Sequence, residues 1–131
     1  YWGHWLSFAD RSDHLPRIFH VNWFRQDDDG RFLWPGFGEN LRVLRWILER
    51  CEDRAEAIET PIGFLTRPTD IDTNGLDIHA DTMQSLLNVD VGRWKEEMDS
   101  VGEYLESYGD RLPAVLRQEY QEVVEDLKKA S

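Results

Sequence analysis

Cysteine is almost missing from this sequence. The lone Cys51 in 131 residues rules out an internal disulfide framework and the paired-cysteine zinc motifs, and among the charged residues of a predicted helix it reads as a bystander thiol. Positive charge is also short: 15 Lys and Arg stand against 26 Asp and Glu, a net charge of −11. That excludes general binding to a nucleic-acid backbone, which needs an excess of cations, but leaves room for one nucleotide held by backbone and aromatic groups. No apolar run is long enough to span a membrane and no signal-peptide pattern is present, so a cytoplasmic location is expected, with no membrane partner. Phosphoryl transfer needs a phosphate-cradling loop, a lysine and divalent-metal ligands, yet the sequence carries neither GxxxxGK followed by Ser or Thr nor GxGxxG. His4, His14, His20 and His79 are dispersed without HExxH spacing, and no serine sits in a nucleophile elbow. A complete catalyst is therefore not expected.

Aromatic residues are plentiful. There are six tryptophans, of which Trp2, Trp5, Trp23, Trp34 and Trp46 crowd the first 46 residues. With 40% hydrophobic and 31% charged residues, the composition suits one globular domain. The chain opens on Tyr1 rather than Met, inside an amphipathic pattern, and reads as a piece of something longer. Residues 1–9 predict a short helix with Trp2, Trp5 and Leu6 toward a core. In residues 17–25, RIFHVNWFR, side chains alternate, and their β-branched and aromatic content predicts a strand buried on the Phe19–Val21–Trp23 face. Asp27-Asp28-Asp29-Gly30 reads as a solvated turn, Gly30 taking positive φ, and Arg31–Trp34 as a returning strand, so that residues 17–34 form a hairpin.

After the loop Pro35-Gly36-Phe37-Gly38, a helix is predicted from Glu39 to Arg50, with Leu41, Leu44, Ile47 and Leu48 on its apolar face, widened by Val43 and Trp46, and with an end that frays or bends near Glu52–Arg54. Residues 60–65 predict one further strand, Asp81 caps a short helix through Leu87, and Asp90 caps a longer one. The stripes Val91, Trp94, Met98, Val101, Leu105, Tyr108 and Leu116, Tyr120, Val123, Leu127 predict a C-terminal helical hairpin. The fold class is α+β, a piece of a larger α/β nucleotide-binding domain: one segment over residues 1–131, with 1–68 as the pocket subregion and 69–131 as the helical end.

Two acidic runs imitate metal sites. Three successive acids in the tight turn 27–29 rarely converge on one ion. The run Asp70-Ile71-Asp72-Thr73-Asn74-Gly75, with Asp81 at the twelfth place, imitates a calcium loop. However, it has Asp77 where an apolar residue packs, prolines where an entering helix would lie, and Asp rather than Glu at its close. No metal-ligating residue is assigned.

The chemistry-bearing stretch is residues 19–40, FHVNWFRQDDDGRFLWPGFGEN. It sets Phe24 at a strand end, Phe32 on the return strand and Phe37 between two glycines, with Asn40 in the first turn of the following helix. A flat base needs stacking faces and a polar group to read its edge. An asparagine amide offers one donor and one acceptor, and a helix start adds free N–H groups. The competing reading is plain structure: aromatics on short strands ordinarily pack a core, and Asn near a helix start ordinarily caps it. Spacing alone leaves both open, and also leaves a non-enzymatic protein-interaction module that uses exposed aromatics.

The runs IFHVNWFR, RFLWPGFGEN and LRVLRWILER, with HWLSF before them and TPIGF after, closely resemble the C-terminal part of GTP-dependent phosphoenolpyruvate carboxykinases. The resemblance implies that Phe24 and Phe37 sandwich the guanine of GTP, that Phe32 and Trp23 complete the pocket, and that Asn40 reads the base edge. The stretch Phe37, Gly38, Glu39 and Asn40 would be the heart of the site. It further implies a parent lyase that decarboxylates oxaloacetate with GTP to phosphoenolpyruvate, carbon dioxide and GDP in gluconeogenesis. The phosphate loop, manganese ligands and substrate arginines would lie upstream, in the remainder of the parent chain. After residue 65 the match is in pattern more than letter, and no functional residue is carried over there.

Overall fold

The computed structural model describes residues 1–131. Five α-helices and two strands follow in order: α1 (Trp2–Leu6), α2 (Asn40–Cys51), β1 (Ile58–Thr60), β2 (Gly63–Leu65), α3 (Ala80–Leu87), α4 (Val91–Glu106) and α5 (Ala114–Lys129). The chain forms two compact units, residues 17–88 and residues 1–16 with 89–131. The α+β class stands. Residues 69–88, however, group with the aromatic loop rather than with the helical end, because Ile71 and Met83 bury their side chains beside Trp34 and Trp46.

The unit of residues 1–16 and 89–131 follows from its stripes. Asp90 caps α4 by accepting the Arg93 N–H at 3.1 Å, as its position predicted. Met98 on α4, Leu112 between the helices and Leu127 on α5 are buried, and Leu127 is fully enclosed. Trp2 of α1 packs on Tyr108, ring centroids 4.5 Å apart, whereas Trp5, predicted to face inward, is 57% exposed. A five-residue helix has room to bury only one side, and Trp2 occupies it. Where α4 passes α5, a methyl group on Gly102 would meet the Tyr120 hydroxyl at 2.5 Å and its ring at 3.0 Å, so the glycine lets the phenol lie against the helix backbone.

In residues 17–88 the helix and turn chemistry is legible, but the strands lie elsewhere than predicted. Residues 17–25 form no strand. Their side chains alternate as expected, Phe19, Val21 and Trp23 half-buried and Ile18, His20, Asn22 and Phe24 exposed, yet residues 17–22 enter no backbone–backbone hydrogen bond. Asn22 Oδ1 accepts the Phe24 N–H at 3.0 Å, replacing a ladder partner with a turn. Residues 31–34 likewise form no strand; the expected hairpin is reduced to a single antiparallel bridge, Gln26 to Phe32. The reversal itself stands where predicted. Asp27 Oδ1 accepts the N–H groups of Asp29 and Arg31 at 3.0 and 2.9 Å, and Gly30 has φ of 79°. The strand pair lies instead at β1 and β2, antiparallel with Glu59 opposite Phe64, in place of the one further strand predicted over 60–65. Pro61 stands at the tight turn between them, and the Thr60 hydroxyl bonds the Gly63 carbonyl at 2.6 Å.

Helix α2 begins through a 3-10 turn, Phe37–Glu39, and ends cleanly rather than fraying. The Arg54 N–H reaches the Glu49 carbonyl at 2.8 Å and the Asp53 N–H the Arg50 carbonyl, with Asp53 left-handed at φ of 55°. Arg17 closes this end by bonding the Arg50 carbonyl and the Asp53 carboxylate, which holds the Asp53 carboxyl below its ordinary range. The buried face of α2 is Val43, Trp46 and Ile47, rotated from the predicted one; Leu41 and Leu48 are exposed. Trp46 draws the helix round because it joins Trp34, Ile71 and Met83 in the core and meets Phe19 edge-on at 6.2 Å. Helix α3 starts after His79 with no side-chain cap, and Asp81 lies in its first turn instead of capping it.

Two outcomes follow. Alanine in a helix interior is favoured over glycine by about 1 kcal/mol, but at position 102 the methyl collides with Tyr120. Gly102→Ala is expected to lower the thermal midpoint with Tyr120 present and to raise it in a Tyr120→Ala background; a rise in both would show that the ring yields freely. The Asp27 carboxyl is held below its ordinary 3.8, chiefly by the Arg31 backbone N–H. A depressed carboxylate contributes above its ordinary range and is lost as pH falls through the lowered value. The Asp29 and Arg31 amide resonances should therefore titrate together with a midpoint below 3.8, and a midpoint at or above it would contradict this turn.

Candidate functional site

The turn at Asp27–Gly30 brings Phe24 and Phe32 together, ring centroids 6.1 Å apart at 65°, an edge-on pair. Both rings face outward, 73% and 59% exposed. Trp23 points the opposite way, as alternation requires, and packs on the core at 6.4 Å from Trp34. The predicted group thus divides: Phe24 and Phe32 form an outer aromatic edge, while Trp23 supports it from beneath.

Trp34 is the pivot of the loop. It is 6% exposed and joins Trp46, Ile71 and Met83 in the core. Pro35 and Gly36 then turn the chain outward. Gly36 adopts φ of 123° with ψ of −171°, a backbone conformation that side-chain-bearing residues rarely hold. The following residue, Phe37, stands 91% exposed and outside the paired rings. A bare phenyl ring projecting from a rigid turn has no packing role within the unit. Gly38 and Glu39 complete the 3-10 turn, the Glu39 N–H bonding the Gly36 carbonyl at 3.1 Å.

Asn40 opens α2, and its part-buried side chain does not cap the helix. Its Oδ1 accepts the indole N–H of Trp34 at 2.9 Å. The structure therefore decides against the capping role that a helix-start asparagine ordinarily has. No side chain caps either the 3-10 turn or α2; within the turn the Glu39 and Asn40 N–H groups bond the Gly36 and Phe37 carbonyls. Glu39 is engaged by Arg42, Nε to Oε2 at 2.7 Å, and Arg42 also bonds the Asp72 carbonyl at 2.8 Å, fixing the helix start to the loop before α3.

Sequence reasoning passed over two residues here. Trp34 reads from its residues only as part of a strand, yet a buried indole N–H is costly without an acceptor, and Asn40 is the nearest amide in sequence. Arg42 pairs with Glu39, and that pairing at three residues' spacing is legible in the sequence. A separate cleft of about 740 Å³ lies between α2 and residues 68–80, with Arg42, Arg45, Trp46 and Asp72 among its walls. None of Phe24, Phe32, Phe37 or Asn40 lines it.

No three His, Cys, Asp or Glu side chains are grouped to hold a metal ion. In the imitation calcium loop, Asp70 pairs with Arg67 at 3.0 Å, and Asp72 accepts the Asn74 N–H at 3.0 Å. No helix is long and apolar enough to cross a membrane.

Residues 1–126 match the family described as the phosphoenolpyruvate carboxykinase C-terminal P-loop domain. Curated relatives include proteins named phosphoenolpyruvate carboxykinase (GTP). One from Neocallimastix frontalis is 47% identical over 133 residues, one from Chlamydia muridarum 45% over 129, and one from Anaeromyxobacter dehalogenans 40% over 130. The alignments cover 98–99% of this chain and 22% of each relative, so the chain spans about a fifth of their length. The resemblance carried by HVNWFR and FLWPGFGEN thus extends across nearly the whole sequence. The chain belongs to the family of phosphoenolpyruvate carboxykinase C-terminal P-loop domains.

Proposed function

We propose that this chain is the guanine-binding part of a GTP-dependent phosphoenolpyruvate carboxykinase. In this reading Phe24 and Phe37 stack on the two faces of the base. Phe32 closes one edge and Trp23 backs the pocket from the core. Gly38 and Glu39 supply the helix-start backbone, and Asn40 reads the base edge. The observation that carries it is the loop from Trp34 to Asn40, which sends one phenyl ring into solvent and sets the oxygen of an uncapping asparagine against the Trp34 indole N–H. The choice of nucleotide is supported by the relatives, which are named as GTP-dependent phosphoenolpyruvate carboxykinases.

The parent reaction is oxaloacetate plus GTP to phosphoenolpyruvate, carbon dioxide and GDP, a lyase step of gluconeogenesis in the cytoplasm. GTP and GDP are its nucleotide partners, and the remainder of the parent chain supplies the phosphate loop and the ligands for manganese. The residues of this chain do not fit a metal site, so no step here runs through one. Their contribution is selection and orientation of the nucleotide: ring stacking holds the base plane, and the amide and helix start discriminate its edge. Nothing in the relatives' names favours an interaction module without a nucleotide.

In the full-length protein, Phe37→Ala is expected to raise KM for GTP. Stacking is worth about 1–3 kcal/mol per base, or roughly five- to a hundred-and-fiftyfold in KM. Steady-state kinetics with unchanged nucleotide parameters would count against the pocket. Residues 1–131 alone are expected to show no carboxykinase turnover, and measurable turnover would overturn the division of labour.

A further inference from the structure

We infer that Trp34 is a positioning residue that sets base selectivity by fixing which end of the Asn40 amide faces the nucleotide. The inference rests on the guanine-pocket reading above. An indole N–H can only donate, so the Asn40 atom 2.9 Å from it must be the carbonyl oxygen, however the amide would otherwise be oriented. Trp34 itself cannot swing, because it is 6% exposed among Trp46, Ile71 and Met83. Asn40 Nδ2 donates to no group of this chain and is not among the buried unpartnered atoms, so the amide presents its NH2 outward.

An outward NH2 suits an acceptor. Guanine offers O6 and N7, both acceptors, along the edge where adenine offers N7 and an N6 amino donor. A fixed NH2 thus bonds guanine and opposes the adenine amino group, donor against donor. A freely rotating amide would turn its oxygen to adenine and accept from N6, so the selectivity depends on removing that rotation. Trp34 touches no nucleotide in this arrangement and acts only through Asn40.

The test uses the full-length protein and compares kcat/KM for GTP and for ATP. Asn40→Ala is expected to lower the GTP/ATP ratio roughly tenfold or more, the discrimination one side-chain–base pair carries. Trp34→Phe removes the N–H and keeps a ring. It is expected to lower the ratio about as far, mainly by improving use of ATP, and the double variant should be no less selective than Asn40→Ala alone, as coupled residues require. Should Trp34→Phe fail to fold, 3-benzothienylalanine at position 34, which has sulfur in place of N–H and the same shape, is expected to give the same loss. If Asn40→Ala loses selectivity while the position-34 variant keeps it, or weakens both nucleotides equally, the positioning role is overturned and the pocket survives. If Asn40→Ala itself leaves the ratio intact, the pocket reading fails first.

Discussion

Burial of the Trp34 ring is the constraint on which the aromatic loop depends. A large indole enclosed by Trp46, Ile71 and Met83 anchors the chain between the Asp27–Gly30 turn and the start of α2. Because that residue cannot move, Pro35 and Gly36 must turn sharply outward, and Phe37 is delivered to solvent on a backbone with little freedom. The same burial makes an unpaired indole N–H costly, and Asn40 provides an acceptor for it. A hydrophobic requirement inside the unit therefore dictates the orientation of a polar group at its surface. The other core tryptophan, Trp46, leaves its N–H without a partner, so within this core only Trp34 links packing to an outward-facing amide.

Charge does a different job. With an excess of acids, most arginines are committed to local pairs: Arg31 with Asp27 and Asp29, Arg42 with Glu39, Arg67 with Asp70 and Glu56. These contacts lie near solvent, where single ion pairs contribute little stability. Their value is geometric. Arg31 tightens the turn that brings Phe24 to Phe32, Arg42 ties the helix start to the following loop, and Arg17 closes the far end of α2. The acidic surplus leaves the aromatic edge as the chemically distinctive surface of this unit, in keeping with recognition by stacking rather than by phosphate attraction.

Local signals were read well where the physics is local. The apolar stripes of α4 and α5, the Asp90 cap, the reversal at Asp27–Gly30 and the alternation of residues 18–24 all depend on neighbours within a few positions. Strand identity was read poorly because a strand exists only by virtue of its ladder. Residues 17–25 have strand composition, but Asn22 takes a backbone N–H that a neighbour would have used. The short stretch around Pro61 forms the hairpin because its turn brings its own partner. The face of α2 was misjudged for a related reason: spacing finds an apolar stripe but cannot choose between two adjoining ones when Trp46 is the residue that finds a core.

The letters HVNWFR and FLWPGFGEN were enough to single out Phe24, Phe32, Phe37 and Asn40 as the proposed site, and the whole sequence places the chain in its family. Residue type decides what a ring or an amide can do, and that is visible one position at a time. The partner of Asn40 and the separation of the exposed rings from the cleft behind α2 were settled only by packing. Each is a choice among contacts that the sequence permits equally, and only the filling of a common core selects one of them.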